Sequence, residues 1–342
     1  MSAPRTDPPE HLRARREASR RETRRRRYQA AGALTALLVI VAGVALANLI
    51  GSSGGSSPKA TLSTASHAHT IGRANERTGR TDAETHPSTA QGTASTGAET
   101  GKPGTEAVPI LMYHVIAAPP PGAPFPGLYV VPSEFAAQME ALKQAGWHAV
   151  TLDQVQAYWL HGASLGIGKP IVVSFDNGYQ SQYTQALPVL RRLGWVADEN
   201  VQLTGLPPSQ GGLSRAQVKG LVAAGWELDT QGFSHADLIT LDAEQLHYQV
   251  AVARSTVQRR YDVPVNWFCY PSGHYDSTVI AAVKAAGYAG STTVVPGWAH
   301  PSEDRYRLHR LRVLGETSPE TLLSEIASIR DDPPAPASYN GT

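Results

Sequence analysis

The chain has 342 residues, with 30 Lys and Arg against 29 Asp and Glu, 41% hydrophobic residues and a single Cys. One cysteine excludes an intrachain disulfide framework and a cysteine-rich zinc module, and the composition excludes a collagen-like repeat. The small net charge hides a division: residues 1–28 hold ten Arg and four acids (net +6), leaving 20 basic and 25 acidic residues (net −5). A mildly acidic body lacks the broad cationic surface that neutralises phosphates, so nucleic acid is not an expected partner.

Residues 1–28 read as a basic cytoplasmic head. No side chain between Tyr28 and Pro58 is charged, and Ala30 to Ile50 is an apolar run long enough for the ~20 residues of a helix across a bilayer. Residues 29–50 are therefore expected to be a transmembrane signal anchor. Arg20, Arg21 and Arg24 to Arg27 abut its N-terminal end, and the positive-inside rule keeps them in the cytoplasm. This predicts a single-pass protein of the cell membrane with an extracellular C-terminal domain. A cleavable signal peptide ending at Ala45-Leu46-Ala47 is the alternative, but the apolar run exceeds the roughly 7–15 residues of such a segment. Residues 51–105, rich in Gly, Ser, Thr and Ala, are expected to be a disordered linker. Residues 331–342, with DDPPAPA, are expected to be a second disordered end.

From 106 to 330 short β-rich runs alternate with helical patterns. Strands are predicted at 109–115, 148–152, 170–175, 196–203, 226–230, 265–270, 288–294 and 309–314. Phe135, Met139 and Leu142 recur at helical spacing after Ser133, Ser214 and Gln217 form a capping-box pattern, and Ser318-Pro319 opens a last helix. The Gly of Ala223–Gly225 and of Ala285–Gly287 suits a left-handed helix stop. The alternation predicts one α/β domain, a barrel of about seven or eight strands, with a doubly wound open sheet as the alternative. In either architecture functional groups gather at the C-terminal ends of the strands.

Four strand ends carry candidate chemistry. In IVVSFDNGY an apolar run stops at Asp176, and Gly178 permits a sharp turn. In ELDTQGFSHADL, Gln231 and His235 lie four apart and face the same way on a helical turn. His114 ends PILMYHV, and FCYPSG runs into a Pro-Ser-Gly turn that can present backbone N–H groups to an oxyanion. Each has a plain structural reading as a turn or cap residue; the weight comes from finding all four in one chain.

The order MYH, SFDNGY, QGFSHADL, FCYPSG resembles the polysaccharide deacetylases of the NodB-homology type, carbohydrate esterase family 4, across Val108 to about Leu314. The His in an N-terminal MYH strand is similar to the exported branch whose motifs are circularly permuted. The resemblance implies a distorted (β/α) barrel and removal of N-acetyl groups from N-acetylglucosamine-containing polysaccharide of the cell envelope. It implies Asp176 as general base, His114 as general acid and Ser272 as the oxyanion donor. It also implies a divalent metal (zinc, cobalt or nickel), of whose three ligands only His235 is retained; Asn177 and Gln231 stand where an Asp and a His would be. Two amides predict weak or absent metal binding, since catalytic zinc generally takes three His, Cys or carboxylate ligands. The third motif also lacks the Arg that orients the base. Tyr270 and Trp298 are expected to bind substrate, and Trp159 and Tyr129 to stack on sugars. Three functions compete: a membrane-anchored deacetylase, an inactive homologue that binds envelope polysaccharide, and a glycosidic hydrolase pairing Asp176 with Asp229.

Overall fold

The structure is a computed structural model that describes residues 101–204, 206 and 211–341. The basic head, the expected membrane helix at 29–50 and most of the linker lie outside the described residues. Among the described residues no helix is long and apolar enough to cross a membrane.

Nine strands among these residues form one sheet: β1 (Val108–Tyr113), β2 (Trp147–Ala149), β3 (Lys169–Asn177), β4 (Asp198–Val201), β5 (Glu227–Thr230), β6 (Trp267–Cys269), β7 (Gly290–Thr292), β8 (Trp298–Ala299) and β9 (Leu311–Arg312). Their order is β7-β6-β5-β4-β3-β1-β8, with β2 on β3 and β9 on β1. Every ladder is parallel except β1 with β8. The paired strands β1 and β3 are buried along almost their whole length, as strands covered on both faces require. The short β8 was not foreseen; two residues are too few to show a period.

Around the sheet lie α1 (Pro132–Gln144), α2 (Leu152–His161), α3 (Leu187–Leu193), α4 (Arg215–Ala223), α5 (Ala243–His247), α6 (Ala253–Tyr261), α7 (Ser277–Ala285) and α8 (Pro319–Ser328). Phe135, Met139 and Leu142 form the buried stripe of α1, which starts two residues earlier than expected because Pro132 takes the first helical position. Ser214 and Gln217 make both bonds of the capping box, and Ser318 Oγ accepts the Thr321 N–H. On the helix side of the sheet Phe175 stacks on Trp226, centroids 5.1 Å apart.

The sheet curls into a mixed α/β half-barrel, and one returning segment bridges its gap. Leu308 N–H donates to Ser291 and Arg310 N–H to Val295, beside β7; the next residues pair with β1, Leu311 opposite Leu111 and Arg312 opposite Met112. Segment 308–312 thus leans on both rims. It carries Arg310 to the interior.

The C-terminal residues do not trail free as expected. Tyr339 bridges to Tyr275 through two backbone hydrogen bonds of 2.9 Å, Tyr275 Oη donates to Pro336, Arg307 Nη1 donates to Ala335, and His309 Nε2 meets the Pro333 carbonyl. The prolines that suggested disorder here remove competing donors while their carbonyls accept. Residues 101–105 likewise pack, with Gly104 N–H donating to Tyr158. Deleting residues 331–342 is expected to cost about 1–3 kcal/mol, from hydrogen bonds worth about 1 kcal/mol each. Urea unfolding checks this; an unchanged midpoint would restore the free-tail reading.

Candidate active site

The four strand ends converge. His114 follows β1, Asp176 and Asn177 close β3, Gln231 follows β5, and Ser272 sits in the turn after β6. All of them, with His235, Tyr270 and Arg312, line one cavity of about 590 Å³. The backbone is bent to place them: Asn177, His235 and Ser272 have φ of 78°, 56° and 55°, left-handed values that cost a non-glycine residue free energy and cluster at functional sites.

Asp176 is 1% exposed. Arg310 grips both its oxygens, Nη1 to Oδ1 at 2.7 Å and Nη2 to Oδ2 at 2.9 Å, and Asn200 Nδ2 donates to Oδ1 at 3.0 Å. Burial alone would raise the carboxyl pKa, but the guanidinium overcomes it and holds Asp176 at about 2. The third motif lacks an Arg, and the returning segment brings one to Asp176 instead. Cys269 lies against this pair, its thiol 3.4 Å from Asp176 Oδ2; burial keeps it protonated.

His114 Nε2 lies 3.9 Å from Asp176 Oδ2, and Nδ1 is buried without a partner among the described residues. Burial pushes the imidazole down to about 4, against the pull of Asp176 and with the help of Arg310 and Arg312. Gln182 joins the two strand ends, its Nε2 donating to the carbonyls of His114 and Asp176 at 2.9 and 2.8 Å. No motif in the sequence singles out Gln182.

The three metal-ligand positions do come together, but not as a ligand set. The Asn177 N–H can only donate, so the Gln231 atom facing it at 2.8 Å is the amide oxygen. The Gln231 amide nitrogen then faces His235 Nε2 at 3.4 Å, which makes that ring nitrogen an acceptor. Asn177 Nδ2 donates to Gln202 Oε1 at 3.1 Å. Gln231 Oε1 and His235 Nε2 thus each face an amide donor, and among the described residues no group of three His, Cys, Asp or Glu ligands gathers here. This donor set does not fit a zinc-type site.

Other expected residues are placed differently. Tyr270 lines the cavity, yet its hydroxyl is turned away to the Tyr306 carbonyl at 2.9 Å, which leaves it a wall. Trp298 is a correction: it lies on β8 in a separate cavity with Trp147, 5.9 Å away, and its indole N–H is held by Ile326. The pairing of β8 with the start of β1 puts it at the opposite end from Asp176. Trp159 is core, donating to the Glu106 carbonyl, and Tyr129 lines a neighbouring groove with Tyr179. Asp229 does not line the Asp176 cavity; its Oδ1 is held by the Trp267 N–H at 2.8 Å.

Removing one partner of a buried ion pair strands the other charge, so Arg310→Met is expected to destabilise the domain by about 3–5 kcal/mol. Adding Asp176→Asn should recover part of that loss. Denaturant unfolding of the two single variants and the double variant checks it; a double-variant loss equal to the sum of the two single losses would mean that the pair is not coupled.

A sequence profile described as polysaccharide deacetylase matches residues 166–291. The Bacillus subtilis protein YxkH, which carries a polysaccharide deacetylase designation, is 27% identical over 207 residues, 60% of this chain and 71% of that protein. The fold is similar to that of the Streptococcus pyogenes deacetylase PplD, solved in complex with acetate: TM-score 0.60, 25% identity, 65% of this chain and 99% of that one. A polysaccharide deacetylase from Bacillus cereus, BC0361, is similar with TM-score 0.58 and 26% identity over 65% of this chain and 69% of that one. With its strand-end motifs gathered in one cavity of this half-barrel, the chain is similar to the NodB-type polysaccharide deacetylases in sequence profile and in fold.

Proposed function

We propose that this chain binds N-acetylated polysaccharide of the cell envelope in the Asp176 cavity and slowly hydrolyses its acetamide bonds. The observation that carries this reading is the meeting of His114, Ser272 and the Arg310-clamped Asp176 at the strand ends. Export and anchoring are supported by the apolar run at 29–50 behind its Arg cluster, and a tether over 51–105 suits an envelope substrate.

In this reading a water attacks the acetamide carbonyl, its oxygen forms the new C–O bond, and the C–N bond breaks to give acetate and an amine. The proton must go to a group that can hold it. Of the two candidates the imidazole has the higher proton affinity, about 4 against about 2. The proton therefore passes to His114 and from there to the leaving nitrogen, while Asp176 stays ionised and fixes the positive charge beside it. This exchanges the emphasis that the motifs alone suggest. The Ser272 N–H serves the oxyanion. Without a metal to share that task, a loss of ~10²–10³ in rate is the scale set by removal of one electrostatic stabiliser.

A second reading, glycan binding without turnover, is favoured by one observation: the Gln231 oxygen is held by the Asn177 N–H at the position of a metal ligand.

The purified full chain should release acetate slowly from chitooligosaccharides or peptidoglycan, and His114→Gln should abolish the release without lowering the melting temperature by more than a few degrees. Binding without acetate would select the second reading; neither binding nor acetate would remove both. The initial rate should be level at neutral pH and fall as pH drops through about 4, because protonated His114 can no longer accept. An Asn177→Asp, Gln231→His double variant loaded with zinc should gain roughly 10²-fold or more.

A further inference from the structure

On the inner face of the same sheet lies a second set of carboxylates that the reaction does not use. β4 pairs with β5 so that Asp198 is opposite Glu227 and Asn200 opposite Asp229. Strand alternation then puts Asp198, Glu227 and Asp229 on one face. One carboxylate oxygen from each lies within 4.8 Å of the other two.

Hydrogen bonds account for half of their oxygens. The first two N–H groups of α2 donate down onto the cluster, Leu152 to Asp198 Oδ2 at 3.1 Å and Asp153 to Glu227 Oε2 at 2.9 Å. Asp229 Oδ1 accepts from Trp267 and Asn266 at 2.8 and 3.3 Å. Left over are Asp198 Oδ1, Glu227 Oε1 and Asp229 Oδ2, each buried with no partner among the described residues. Asp198 and Asp229 are 0% exposed. The neighbouring Asp153 adds negative charge and is itself occupied, accepting from Asn266 Nδ2 and Trp267 Nε1 at 2.7 and 3.0 Å. A helix N-terminus supplies only about half a positive charge, too little for two fully buried carboxylates beside the half-buried Glu227.

We propose that Asp198, Glu227 and Asp229 bind one hard divalent cation of the calcium class, at a place separate from the Asn177, Gln231 and His235 position. The three free donors are all oxygens, which calcium takes at about 2.3–2.6 Å and which zinc-type ions favour less than nitrogen and sulfur. Oxygens as much as 4.8 Å apart can reach a common ion at about that radius from different sides. The remaining coordination positions fall to water. The ion would tie β4 and β5 to the start of α2. Its ligands flank Asn200, which holds Asp176, and stand two residues before Gln231. The proposal does not depend on whether the cavity above hydrolyses anything.

Terbium reports the site directly, because it replaces calcium and luminesces when an excited indole lies close by; the Trp267 backbone and ring both adjoin the cluster. The full chain, stripped with a chelator, should give tryptophan-sensitised terbium emission that saturates at one ion per chain and is displaced by calcium. Calcium should also raise the melting temperature of the stripped protein in a saturable way. Asp198→Asn should weaken terbium binding by about tenfold or more, whereas His235→Ala should leave it unchanged. Should Asp198→Asn fail to fold, the wild-type stoichiometry and the calcium-induced melting shift still decide. Neither emission nor melting shift in the wild type would mean that the three carboxyls share protons instead, and the proposal fails. Emission lost with His235→Ala but kept with Asp198→Asn would move the ion to the upper cavity and overturn it equally.

Discussion

A carboxylate sealed inside a protein persists as an anion only if its counter-charge is fixed beside it. Asp176 and Arg310 meet this condition with two parallel hydrogen bonds, and much of the architecture serves their meeting. Arg310 has to enter from the last strand, so segment 308–312 is pinned between β7 and β1. Its remaining donors have to be used, so Nε is given to the Thr293 carbonyl at 2.8 Å and Nη1 also to Ser174 Oγ at 3.2 Å. A guanidinium suits this role where an ammonium would not, because the planar fork matches both carboxylate oxygens at once.

The clamp explains the electrostatics of the cavity above it. With Asp176 neutralised, the pull that would keep His114 protonated is offset by Arg310 and Arg312, and burial prevails. Nearby, the amides of Asn177 and Gln231 join Gln202 and His235 in a hydrogen-bonded chain. The upper cavity thus combines a clamped carboxylate and a buried imidazole with a wall of neutral amide dipoles.

Much of this was legible in the sequence. An apolar β-branched run that stops at Asp-Asn-Gly marks a strand mouth, and the caps at Ser214 and Ser318 follow from local chemistry that tertiary structure did not override. What stayed hidden depends on which strands become neighbours. Arg310 sits in HRLRVL two residues before Arg312, so the two share one strand face, yet one is buried and the other exposed; nothing in the spacing says that Arg310 meets a residue far away in the chain. Trp298 invited a sugar-stacking role because exposed and packed aromatics look alike in sequence. Asp198 and Asn200, like Glu227 and Asp229, share the two-residue period of one strand face, a signal that acquires meaning only once β4 lies beside β5.

The clamp joins residues 134 positions apart, and its basic half lies near the end of the chain. A ribosome that has delivered β1 through β7 has released His114, Asp176 and Ser272 but not the guanidinium that neutralises the carboxylate. Contacts of such long range are slow to form. Until segment 308–312 emerges, Asp176 must stay hydrated or take up a proton, so a polypeptide that stops short of Arg310 cannot assemble a dry, charged centre.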